Sequence, residues 1–197
     1  MSTSAAAVDR PRDGDRMAPQ RLGMLLFVCS EVMFFGGLFA AYFALRALEV
    51  SWPPEGTPRL SFGLPALFSA LLVASSLTMH VAVGARLRGD RVWARWLGLT
   101  IALGTVFLGG QVWEYAELGR EGFGLSSNAY GSLFFTMTGF HGLHVLGGLA
   151  LLSLLLVRSL AGSDRVGHPG FAEACGYYWH FVDAVWVLLF VTLYVVR

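Results

Sequence analysis

The chain has 197 residues, 55% of them apolar and 14% charged, with a formal net charge of +1. Soluble domains carry roughly a quarter charged residues, so this composition excludes an ordinary soluble globule. The near-neutral balance also argues against a nucleic-acid partner.

Residues 1–20 are polar, rich in Ala, Ser, Asp and Arg, and read as a disordered segment. Five apolar runs follow: Leu22–Leu45, Phe62–Ala85, Trp96–Trp113, Ala129–Val157 and Ala174–Val196, the third helix carrying on to Glu117. About 20 apolar residues in a helix cross a ~30 Å hydrocarbon core, and each run comes close to or exceeds that length. The first is too long for a signal-peptide core, and no small-residue cleavage site follows it. Backbone polar groups in lipid must be satisfied within the segment. The predicted fold is therefore all-α, a bundle of five transmembrane helices over 21–197, with no room for a separate soluble domain. Trp52-Pro53-Pro54, after the first run, reads as a rigid turn placed to rest on the membrane or a partner. Gly131, Gly139, Gly142, Gly147 and Gly148 in the fourth run permit close helix approach.

All fourteen basic residues are arginine. Ten lie in the N-terminal segment and in the second and fourth loops, namely Arg10, Arg12, Arg16, Arg21, Arg86, Arg88, Arg91, Arg95, Arg158 and Arg165. The opposite side holds Arg46, Arg59, Arg120 and Arg197. This asymmetry places the N-terminus in the cytoplasm and the C-terminus outside. Cys29 and Cys175 fall within or at the edge of helices, form no CxxC, and read as small buried apolar residues.

Ionisable residues inside a bilayer are functional candidates by default. They are Glu31 in the first run, His80 in the second, His141 and His144 in the fourth, and His180 and Asp183 in the fifth. A 1.5 Å rise per residue puts Glu31 about 13 Å from the cytoplasmic face and the other five in the same half. Six residues on four helices thus form one expected polar layer. Glu114 and Glu117 lie apart, near the outer surface. His141/His144 and His180/Asp183 are i, i+3 pairs, each on one side of its helix. Hydrogen-bonded structural pairs and a metal or haem site are both compatible with these types. A carboxylate-bridged bundle site would need repeated Glu-x-x-His ligands, which the chain lacks. Glu31 stands alone among Phe27, Val28, Met33, Phe34 and Phe35, where desolvation favours the neutral acid. It is either a structural hydrogen-bonded carboxyl or a proton-handling, partner-facing group.

Several long stretches occur in a familiar order: RLGMLLFVCSEVMFF (21–35), WPP (52–54), ARLRGD (85–90), WEYAE (113–117), YGSLFFTMTGFHGLHV (130–145) and YYWHFVDAVW (177–186). In these the chain resembles cytochrome c oxidase subunit III, in a short five-helix bacterial form. The resemblance implies a non-catalytic subunit beside subunit I, with subunit II, and with subunit IV or a larger respiratory supercomplex as further candidates. The complex reduces oxygen and pumps protons in the bacterial cell membrane; haem and copper are held by partner subunits and no metal by this chain. Implied roles are support of proton uptake, phospholipid binding and protection against inactivation during turnover. Glu31 matches the family's carbodiimide-reactive glutamate, and Phe27 and Arg158 match positions associated with lipid contacts. The long family form has two further N-terminal helices, and a histidine where Ala44 stands here. Lipid ligands on those two helices are not carried over. The same fold serves quinol oxidases and a nitric-oxide-reductase-associated relative. A small transporter using Glu31 would favour inverted repeats, and none is visible.

Overall fold

The structure is a computed structural model that describes residues 19–161 and 169–196. It contains α1 (Pro19–Leu48), α2 (Gly63–Leu87), α3 (Trp93–Arg120), α4 (Ala129–Leu160) and α5 (Pro169–Phe190), the last continued by a π-helical turn, Val191–Val195. All five helices are long and apolar enough to cross a membrane, and no strand occurs among the described residues. Every apolar run thus becomes a helix, most of them longer than the run. Helical hydrogen bonding continues past the hydrocarbon edge, so Gln20 and Arg21 join α1 and Glu173 lies within α5. Apart from Pro19 and Gln20, the polar segment 1–20 lies outside the described residues, as do Arg165 and Arg197.

The turns show why the chain reverses where it does. Between α2 and α3, Gly89 adopts φ +73°, a left-handed conformation that glycine takes without steric cost. The Asp90 carboxylate then accepts from Val92 N–H at 3.1 Å. Across this turn the Arg86 guanidinium lies 4.3 Å from the Trp93 ring centroid, a cation–π contact that ties the two helix ends. Asn128 caps α4, its side-chain oxygen accepting from Gly131 N–H at 2.8 Å while its amide donates to Thr57 Oγ1 at 2.9 Å.

Trp52 turns back onto its own bundle. Its Nε1 donates to Tyr42 Oη at 2.9 Å, and its ring meets Tyr130 edge-on at 5.7 Å. The hydroxyls of Tyr42 and Tyr130 donate in turn to the carbonyls of Thr192 and Leu193, at 3.2 and 2.6 Å. Carbonyls in a helix's last turn have no intrahelical partner, so two buried tyrosines close the end of α5.

The bundle is organised around α5, which packs against α1, α2 and α4, while α2 pairs with α3, α3 with α4, and α4 also with α1. Of the apolar stretch of α5, 61% is buried, against 6% for α1. Trp179 on α5 is the central joint. Its indole N–H donates to Ser75 on α2 at 3.0 Å. A methyl group built at Gly104 on α3 would lie 2.7 Å from that indole, and one at Gly148 on α4 would lie 2.9 Å from it. Four helices meet at one aromatic plate because two of them lack a Cβ there.

If α2, long and apolar enough to cross a membrane, does so, its two ends lie on opposite faces. Cysteines introduced singly at Ser61 and Gly89 are expected to react with an impermeant thiol reagent from opposite sides of intact cells and inverted vesicles. Reaction of both from one side would disprove the topology.

Candidate functional site

The structure brings Glu31 and His144 together. His144 Nε2 lies 3.0 Å from Glu31 Oε2, joining α1 to α4. The other ring nitrogen, Nδ1, lies 2.7 Å from the Phe140 carbonyl oxygen. A carbonyl only accepts, so Nδ1 carries a proton. The Nε2–Oε2 bond then needs one further proton, on the imidazole or on the carboxyl. Either way the pair is neutral overall and holds one shared, removable proton. Both side chains are largely enclosed, 16% and 18% exposed. Phe35 meets the imidazole edge-on at 5.0 Å and Phe34 stacks at 6.2 Å. Tyr178 Oη donates to the His144 carbonyl at 3.0 Å, and its ring lies 6.1 Å from that of Phe27. The charge of either partner is thus compensated locally, which is what burial of ionisable groups requires.

A second group forms on α2 and α5. Ser76 Oγ lies 2.8 Å from His180 Nδ1, and the His80 and His180 rings are 6.5 Å apart. His80 is exposed on the outside of the bundle, while Asp183 is buried, with its Oδ1 lacking a hydrogen-bond partner.

His141 joins neither group. It is fully buried, tilted against Trp186 at 4.9 Å and edge-on to Phe107 at 5.8 Å, with no partner at either nitrogen. The expected single layer is therefore two separate clusters and an isolated imidazole. Three residues along a helix subtend 300°, so His141 and His144 sit 60° apart. That is enough for His144 to face α1 while His141 faces α3 and α5.

Phe27 is exposed beside Tyr178, and Arg158 is exposed in the last turn of α4. Cys29 is exposed and Cys175 buried, both as free thiols, so the buried-apolar expectation holds for Cys175 and not for Cys29. Cys29 lies on α1, whose outward face no other described residue covers.

Several participants were not singled out from sequence. Ser76 precedes His80 by one helical turn, an i, i+4 relation that was available to find it. Toward the C-terminal end of α3, Tyr194 Oη donates to Glu114 Oε2 at 2.8 Å, Tyr115 Oη lies 2.6 Å from Thr138 Oγ1, and Gln111 Nε2 donates to the Thr138 carbonyl at 2.6 Å. Near their N-terminal ends, α1 and α5 are joined by an ion pair between Arg21 and Glu173. Among the described residues, no three His, Cys, Asp or Glu side chains are grouped as a metal ion would require.

Residues 16–196 match the family described as Cytochrome c oxidase subunit III. The chain belongs to the cytochrome c oxidase subunit III family. It is 46% identical over 178 residues to a probable cytochrome c oxidase subunit 3 of Nocardia farcinica, covering 89% of this chain and 87% of the relative. It is 43% identical to the cytochrome c oxidase subunit 3 of Synechocystis, covering 87% of this chain and 73% of that one. A Corynebacterium diphtheriae subunit 3 is 39% identical, with 93% and 96% covered. As a subunit III the chain is a multi-pass membrane component of an oxidase complex with other subunits, which hold the haem and copper.

Proposed function

We propose that this chain is the non-catalytic subunit III of a bacterial cell-membrane oxidase that takes electrons from cytochrome c. It packs against subunit I near subunit II, with its N-terminus in the cytoplasm, and supports proton uptake, lipid retention and turnover stability of the catalytic subunit. The observation that carries the proton role is the Glu31–His144 bridge, a shared-proton pair at the membrane-facing edge of α1 and α4. Such a pair takes up and releases a proton without ever placing two uncompensated charges in the bilayer. The exposure of Phe27 and Arg158 on the same two helices supports lipid contact there.

Two measurements test the reading. Purified in mild detergent, the chain is expected to bring down a subunit II with a copper site. A subunit II without copper would instead assign the complex to the quinol oxidases. A hydrophobic carbodiimide, to whose central carbon a protonated carboxyl adds while its proton passes to nitrogen, is expected to modify Glu31 in preference to Glu55 or Glu121. Glu31→Gln keeps a hydrogen-bond donor for the imidazole and is expected to assemble normally while losing that modification. Glu31→Ala leaves a buried imidazole nitrogen unpaired, at a cost of about 1–3 kcal/mol, and is expected to lower the thermal stability of the complex. Peptide mapping that finds only loop acids modified would reject the proton role.

A further inference from the structure

The α2–α3 hairpin is tied at its cytoplasmic turn by Arg86 and Trp93. At the opposite end it encloses a cleft of about 380 Å³, within the range of small-ligand sites. One wall is a face of α3 and its C-cap: Phe107, Gly110, Gln111, Glu114, Glu117 and Glu121, recurring about once per helical turn. The facing wall is Ser61, Leu64, Pro65 and Phe68 of α2 and the segment before it, and Trp186 of α5 also lines the cleft. Both aromatic walls are fixed. A methyl group at Gly110 would lie 2.5 Å from the Phe68 ring, so that ring rests directly on α3. Trp186 Nε1 donates to Ser69 Oγ at 2.8 Å.

The cleft is graded along its length. Phe107 to Glu121 is fourteen residues, about 21 Å of helix, running from aromatic to acidic. At the open end Glu117 and Glu121 are exposed, with Arg59 exposed across from them. Arg120 pairs with Glu117 at 3.0 Å but leaves Glu121 on the same face. A narrow apolar slot ending in one cation and several carboxylates complements an amphiphile whose head carries both an anion and an amine. We propose that this cleft binds an aminophospholipid from the outer leaflet. One acyl chain lies along Phe68, Phe107 and Trp186, the phosphate faces Arg59, and the ammonium faces Glu117 and Glu121. The site is at the opposite end of the bundle from Arg158, and on different helices from Phe27 and Arg158. It rests on the membrane-spanning reading of the helices and not on the proton role, so either stands if the other fails.

The test uses the intact complex in phosphatidylglycerol nanodiscs with a trace of lipid carrying a diazirine on one acyl chain. The photoreactive lipid is either phosphatidylethanolamine or phosphatidylglycerol. After irradiation, the ethanolamine probe is expected to label peptides containing Leu64–Phe68 and Phe107–Trp113 with about a fivefold preference over the glycerol probe, equivalent to about 1 kcal/mol. Glu117→Gln with Glu121→Gln, both on the exposed rim, is expected to abolish that preference while labelling by the glycerol probe persists. Leu64→Trp, which fills the mouth, is expected to remove labelling by both. Equal labelling by the two probes, a preference that survives the double substitution, or labelling confined to residues outside the cleft would each overturn the proposal.

Discussion

An oxidase complex stripped of this chain is expected to start consuming oxygen at close to the intact rate at neutral pH, then to lose activity in proportion to turnovers completed. The family places haem and copper in other subunits, so their content is expected to be unchanged by the removal. The Glu31–His144 bridge would be lost with the chain. If that pair feeds protons toward the catalytic subunit, its absence slows each proton-dependent step. Reactive oxygen intermediates then persist longer, and damage per turnover rises. The deficit should be greatest at alkaline pH, where free protons are scarce. An oxygen-electrode trace of intact and stripped complexes across pH checks this. Inactivation that follows elapsed time instead of turnovers, or immediate loss of the haem spectrum, would disprove the role.

The second large effect is expected at Trp179. Gly104→Ala and Gly148→Ala each place a carbon within 3 Å of a ring that also bonds Ser75. Overpacking of a filled interior costs on the order of 1–3 kcal/mol, and here the strain falls where four helices meet. Either substitution is expected to reduce the amount of subunit recovered in the complex and its melting temperature. Because both act through one side chain, their effects should not add. Trp179→Phe removes part of the indole and leaves a void, costly in the native background, yet it should restore stability to Gly148→Ala. If the double variant is worse than either single one, the indole is not the strained partner. Recovery of subunit III by immunoblot and differential scanning fluorimetry of the complex distinguish these outcomes.

The spans were legible because hydrocarbon thickness imposes a length on apolar runs, and each run did become a helix. Their ends were less so. Arg21 and Glu173 are polar and fell outside the runs, yet both are helical and pair with each other. The site was legible in depth but not in direction. Counting rises put Glu31, His144 and His141 at similar levels, and rise alone does not say which neighbour each faces. His144 found Glu31, whereas His141 turned to Phe107 and Trp186. The network of Gln111, Tyr115, Thr138 and Tyr194 is not legible in the sequence for a different reason. Neutral polar side chains are common in helices, and only the facing helix reveals that they are paired. Glycines permit close approach, but only the fold shows that Trp179 of α5 is what approaches Gly148.

The central position of α5 bears on how the subunit is made. It leaves the ribosome after the other four helices, yet Ser75, Gly104 and Gly148 are shaped around its Trp179, and the carbonyls at its end are the ones that Tyr42 and Tyr130 satisfy. Before α5 is in place, the main helix contacts among the described residues are those of α2 with α3, of α3 with α4 and, more lightly, of α1 with α4. The helix made last is therefore the one expected to lock the other four together. A ribosome stalled in α5 would leave four helices without the joint that Trp179 makes among them.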